Sequence, residues 1–165
     1  MTADKKKHGL SHLDESGAAK MVDVGDKRTT AREARAEAWV TMSAEALDLV
    51  TEGAVPKGDV FSTARLAGIM AAKKTPELIP LCHPLRMDSV GVDFEVDAAG
   101  SRIRVESNIK ATDRTGVEME ALVAAGVAAL TVYDMCKAID RAIEISGLRL
   151  VYKAGGKSGT WEPGS

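Results

Sequence analysis

Four short stretches hold most of the side chains able to do chemistry. Leu81-Cys82-His83-Pro84-Leu85 sets a histidine between a cysteine and a proline, in an apolar loop broken by Pro80 and Pro84. A proline-framed loop is stiff, which suits a positioned acid or base and equally a packed histidine held by hydrogen bonds. Thr115 to Leu122 places Glu118 and Glu120 near a helix start, where carboxylates complement the helix dipole. Two residues apart, they point in roughly opposite directions, so they form no carboxylate dyad. Tyr133 to Ala138 carries Asp134 and Lys137 three apart, on one helical face. Such a pair is either a surface ion pair or an acid–base couple in which each holds the other ionised.

The fourth stretch runs from Lys153 to Gly159. Gly156-Lys157-Ser158 resembles a phosphate-binding loop, but the glycine required five residues earlier is Val151, and no helix-forming stretch follows. A P-loop is excluded. What remains is a glycine-rich tail with Lys153 and Lys157, either plain or wrapped around phosphate oxygens. Lys57, in Lys57-Gly58-Asp59-Val60, adds a cation, with Arg32 and Arg65 nearby in the pattern. The expected ligand is an anionic, phosphorylated small molecule.

These stretches need elements to position them. From Ala31 to Met42, alanine-rich composition favours helix. The pattern does not: Ala34, Ala36, Ala38, Val40 and Met42 alternate strictly with polar or larger residues, which predicts a half-buried strand. Ser43 caps a short helix to Glu52, closed by Gly53, and Asp59 caps another from Val60 to about Lys74. Val90 to Val96 and Ile103 to Ile109 alternate around Ala98-Ala99-Gly100, an antiparallel hairpin. Gly116 to Ile143 reads as one long helix, apolar on every side in its middle and so buried all round. Leu148, Leu150 and Tyr152 form a last strand. The order predicts an α+β, ferredoxin-like split βαβ fold: a four-stranded antiparallel sheet with helices packed on one face.

The chain has 165 residues and a formal charge of −2, which argues against a general nucleic-acid binder. Aromatics are only 4% and alanine supplies much of the apolar content, so large core side chains are scarce and part of the stability is expected from a partner subunit. Lys5, Lys6 and Lys7 precede no apolar stretch, which argues against secretion. The apolar run Ala121 to Tyr133 is too short for a membrane span. Cys82 and Cys136 make neither a disulfide framework nor a zinc site, and a reduced, cytoplasmic setting is expected. The expected organisation is a mobile segment over 1–20, a catalytic domain over 21–153 and a flexible Gly-rich tail over 154–165.

Six motifs carry a resemblance. MVDV at 21–24, KGDV at 57–60, LIPLCHPL at 78–85, TGVEMEAL at 115–122, YDMCKA at 133–138 and GGKSG at 155–159 occur in the order found in the molybdenum cofactor biosynthesis protein C (MoaC) family. The chain resembles that family from about His12 to Gly159. The resemblance implies a cyclic pyranopterin monophosphate synthase, a phosphorus–oxygen lyase. Such enzymes rearrange 3′,8-cyclo-7,8-dihydro-GTP, made by an upstream radical S-adenosylmethionine enzyme, and release pyrophosphate. It also implies a homo-hexamer, a trimer of dimers, with sites at the dimer interface. By motif position it implies catalytic roles for Asp134, Lys137 and Lys57. It implies substrate contacts from Leu81, Cys82, His83, Glu118, Met119, Glu120 and Lys153, with Lys157 in the glycine-rich tail. Val123 stands where the family often has Thr. No cofactor is required and no dedicated metal site is expected; Mg²⁺ can travel with the pyrophosphate. No nucleic-acid or membrane partner is expected. The competing expectations are a ferredoxin-like module that senses a nucleotide without turning it over, and a purely structural oligomer.

Overall fold

A computed structural model describes residues 17–164. The N-terminal segment expected to be mobile lies mostly outside the described residues. The chain runs β1 (Thr30–Thr41), α1 (Ala44–Thr51), α2 (Val60–Lys73), α3 (Thr75–Leu78), β2 (Met87–Asp97), β3 (Arg102–Asp113), α4 (Glu118–Cys136) and β4 (Glu144–Ala154). The strands form one antiparallel sheet in the order β2-β3-β1-β4. This is the expected α+β arrangement.

Period two wins over helix propensity in β1 because one side of the strand has a core to enter. Ala34, Ala36, Ala38 and Val40 are fully buried, opposite Ile103, Val105 and Ile109 of β3. α4 lies on that face and α2 packs against α4 and β2. Ser43 and Asp59 cap α1 and α2 by accepting from the backbone N–H groups of Ala46 and Ser62. Small residues let the helices come close. At Gly68 a Cβ would lie 2.8 Å from the Ala124 carbonyl oxygen and 3.0 Å from Val92. Alanine there gains about 1 kcal/mol of helix propensity, but overpacking costs typically 1–3 kcal/mol. The second term wins, so Gly68→Ala is expected to lower unfolding stability by about 1 kcal/mol. Denaturant midpoints at matched protomer concentration check this.

α4 departs from expectation in two ways. It ends at Cys136, not near Ile143. Ile139 and Asp140 both donate back to the Cys136 carbonyl, and the Asp140 carboxylate accepts from the Ser43 and Ala142 N–H groups, which turns the chain toward β4. Nor is α4 covered all round. Ala121, Ala124, Ala125, Ala128, Ala129 and Val132 are buried, but Leu130 is 59% exposed. Among the described residues α4 is the helix long and apolar enough by composition to cross a membrane, yet its alanine face is packed on the sheet.

The other sheet face is polar. Glu37, nearly buried, accepts from Arg104 Nε at 2.7 Å and Arg149 Nε at 2.8 Å, and Arg104 reaches on to Glu106 and Glu95. The network crosses all four strands. Near the end of β4, Lys153 exchanges backbone hydrogen bonds with Trp161, closing residues 154–160 into a loop.

Candidate active site

The loop after α3 and the first turn of α4 face each other. The Cys82 thiol donates to Glu120 Oε1 at 3.5 Å. Glu120 is 1% exposed, and its Oε2 has no partner among the described residues. Burial pushes its carboxyl above the ordinary range, favouring the neutral acid. Cys82 is pushed up to about 11, first by burial and then by Glu120. The thiol is thus almost wholly protonated at pH 8. Iodoacetamide at pH 8 is therefore expected to label Cys82 about tenfold more slowly than a free thiol, the scarcity of thiolate being offset in part by its higher nucleophilicity, with adduct formation followed by mass spectrometry. Labelling of Cys82 at the free-thiol rate would contradict this environment.

Glu118 points the other way, as its two-residue offset from Glu120 predicts, and accepts from Lys153 Nζ at 2.8 Å. It stands between two clefts. One, of about 430 Å³, is lined by Leu81, Cys82, His83 and Met119, with Val22 and Val24 of the segment before β1. The other, of about 830 Å³, is lined by Lys27, Arg28, Arg32, Arg114, Lys153 and Lys157, six cations against the three acids Asp23, Asp26 and Glu118. Both include Lys27, Thr115, Gly116 and Glu118, so they form one groove. One end is apolar with a thiol and an imidazole, and the other is strongly cationic. Such a groove suits a flat heterocycle carrying phosphates.

The apolar end and the two tail lysines are legible in the sequence, Arg32 only as a nearby cation, and Lys27, Arg28 and Arg114 are not. The close run Lys27-Arg28 before β1 was the available signal. Arg65 takes no part: it donates to the Val92 carbonyl and faces Asp93 and the Phe94 ring.

Lys57, Asp134 and Lys137 form a second cluster. The Asp134 carboxylate lies between Lys137 Nζ at 2.6 Å and Lys57 Nζ at 3.0 Å, and Lys57 also donates to the Asp134 carbonyl. Hydrogen bonds from Lys137 and then Lys57 hold the Asp134 carboxyl below its usual range, and Asp134 raises Lys137 in turn. The pair is ionised at neutral pH, a carboxylate base beside an ammonium acid. All three side chains are about half exposed. Within the chain they stand apart from the groove. Asp134 is sixteen residues after Glu118 along α4, about 24 Å at 1.5 Å per residue. Among the described residues no three His, Cys, Asp or Glu side chains group as metal ligands.

The MoaC family model matches residues 21–156, a span that includes every residue of the groove but Lys157 and Ser158, and the whole second cluster. The chain belongs to the MoaC family. It is 60% identical over 153 residues to the cyclic pyranopterin monophosphate synthase of Methylobacterium nodulans, covering 93% of this chain and 96% of that protein. It is 58% identical over 154 residues to that of Pelotomaculum thermopropionicum, covering 93% and 91%. The protein of the same name from Chloroflexus aggregans is 55% identical over 153 residues, covering 93% of each. The MoaC motifs thus fall in two places: LCHPL, TGVEMEAL and the glycine-rich tail at the groove, and KGDV with YDMCK at the far end of α4.

Proposed function

We propose that the chain is a cyclic pyranopterin monophosphate synthase acting in molybdenum cofactor biosynthesis. Its substrate is 3′,8-cyclo-7,8-dihydro-GTP, supplied by a radical S-adenosylmethionine enzyme, and it releases pyrophosphate. The observation that carries this is the two-ended groove, whose apolar end fits a fused ring system and whose six cations fit a triphosphate. Lys153 and Lys157, with Lys57, neutralise charge that grows on the departing pyrophosphate as a ribose hydroxyl attacks the α-phosphorus. Asp134 and Lys137 exchange the protons that ring opening and closure require, and His83 and Glu120 bind the ring or relay protons. Leu81, Cys82 and Met119 pack against the heterocycle. No cofactor is needed; Mg²⁺ arrives on the phosphates.

A separation of about 24 Å is too long for both clusters to touch one small nucleotide. The proposed site is therefore shared: Lys57, Asp134 and Lys137 of one copy complete the groove of another, in dimers assembled as a hexamer. Exposed Leu130 stands one turn before Asp134 on the uncovered side of α4, as an apolar contact for that second copy. The proposed setting is the cytoplasm. The purified chain mixed with the cyclised nucleotide is expected to release one pyrophosphate per pyranopterin formed. Binding of the nucleotide with no pyrophosphate released would leave a sensing module and overturn the reading.

A further inference from the structure

We propose that Gly156 is a positioning residue, whose missing side chain leaves the space in which the Arg32 guanidinium sits at the cationic end of the groove. This rests on the reading that phosphate oxygens occupy that end.

The seat has three walls. Arg32 Nε donates to the Asp113 carbonyl at 3.4 Å and Nη2 to the Arg114 carbonyl at 3.2 Å. These carbonyls fix the plane of the guanidinium from the end of β3. The Gly155-Gly156 backbone supplies the third wall. A Cβ on Gly156 would coincide with Arg32 Nη1 and lie 2.8 Å from Cζ, and a Cβ on Gly155 would coincide with the Ala31 carbonyl oxygen. Both glycines have positive φ, +99° and +70°, which lets the chain turn onto β1 as it leaves β4. The Lys153–Trp161 pair closes the loop behind them. Nη1 has no acceptor among the described residues, so this donor remains for an anion. Gly156 is thus explained by the Arg32 guanidinium packed against it and Gly155 by the Ala31 carbonyl, and on this reading the phosphate is met by that guanidinium.

A substitution at Gly156 acts in two ways, by displacing Arg32 and by straining a left-handed backbone position. Gly159 separates the two. Its φ is +65°, and a Cβ there would meet nothing within 4 Å, so Gly159→Ala carries the strain alone. The probe is inorganic tripolyphosphate, titrated calorimetrically into the full chain and used as a competitor of turnover. Arg32→Ala and Gly156→Ala are each expected to weaken tripolyphosphate by about tenfold, the scale of a charged hydrogen bond. KM for the cyclised nucleotide should rise similarly while kcat changes less than about threefold. Gly159→Ala should stay within about twofold. The double variant Gly156→Ala/Arg32→Ala should bind no more weakly than Arg32→Ala, because the glycine acts through the arginine. Multiplicative losses in the double variant, or an equal loss in Gly159→Ala, would overturn the proposal in favour of loop strain. Wild-type affinity in Gly156→Ala beside a loss in Arg32→Ala would overturn the positioning role alone. Unchanged affinity in Arg32→Ala would remove the phosphate reading of this end, and the positioning role with it.

Discussion

Asp134→Asn is expected to lower kcat by about 10³-fold, within the range for loss of a positioned acid–base group. The amide matches the carboxylate in size, so packing at the end of α4 should be untouched. It cannot take up a proton, and it presents an NH₂ group where Lys57 and Lys137 now donate to the carboxylate. KM should change much less, because the six cations that would hold the phosphates lie in the groove, away from this cluster of the same chain. The pH profile adds a second check. Asp134 has a lowered pKa, so its charge is lost only as pH falls below the ordinary aspartate value of 3.8. Lys137 has a raised pKa, so its charge is lost only as pH rises above 10.5. Wild-type kcat/KM should therefore show no titration from this pair across the neutral range. Near-normal turnover in Asp134→Asn, with sedimentation matching wild type, would remove Asp134 from the chemistry.

The other large effect is recovery of activity. Asp134→Asn and Lys153→Ala should each be nearly inactive alone. Co-expressed, they should regain turnover, because a shared site can draw its aspartate from one copy and its lysine from the other. In a two-fold dimer with two sites and random pairing, about a quarter of all sites become fully wild type. The measurement is pyrophosphate release from co-purified, differently tagged chains. No recovery above the two parents would place both clusters in one chain's site, against the 16-residue separation on α4. Steady-state assays and native mass spectrometry together tell absent exchange from absent complementation.

Much of the fold was legible because its signals are local. β1 shows this best: alternation at Ala34, Ala36, Ala38 and Val40 identified a strand in a segment whose composition favours helix. The end of α4 was not legible. The residues from Lys137 to Ile143 contain no glycine or proline to stop a helix, and the turn is made by Asp140 reaching Ser43, 97 positions away. The same reason hid half of the groove. Lys27, Arg28 and Arg114 come from the segment before β1 and from just after β3, and they meet Arg32 of β1 and Lys153 of β4. No spacing rule joins them; only the strand order does. The glycine-rich tail was legible as a phosphate-related feature, but its loop geometry depends on Arg32, more than 120 residues earlier, and on Trp161 beyond the motif.

The Glu37 network has a consequence for how the chain finds its native pairing. β1 and β4 join with two irregularities, between Arg35 and Ala36 and between Glu37 and Trp39. A slip of one residue in this pairing turns every side chain to the opposite face. A slipped β4 would carry Lys153 away from Glu118. It would also take Arg149 from Glu37 and leave a nearly buried carboxylate with one cation in place of two. The glutamate thus works as a proofreader of strand alignment: a groove with its lysine misplaced is penalised on the far side of the sheet, before any substrate is met.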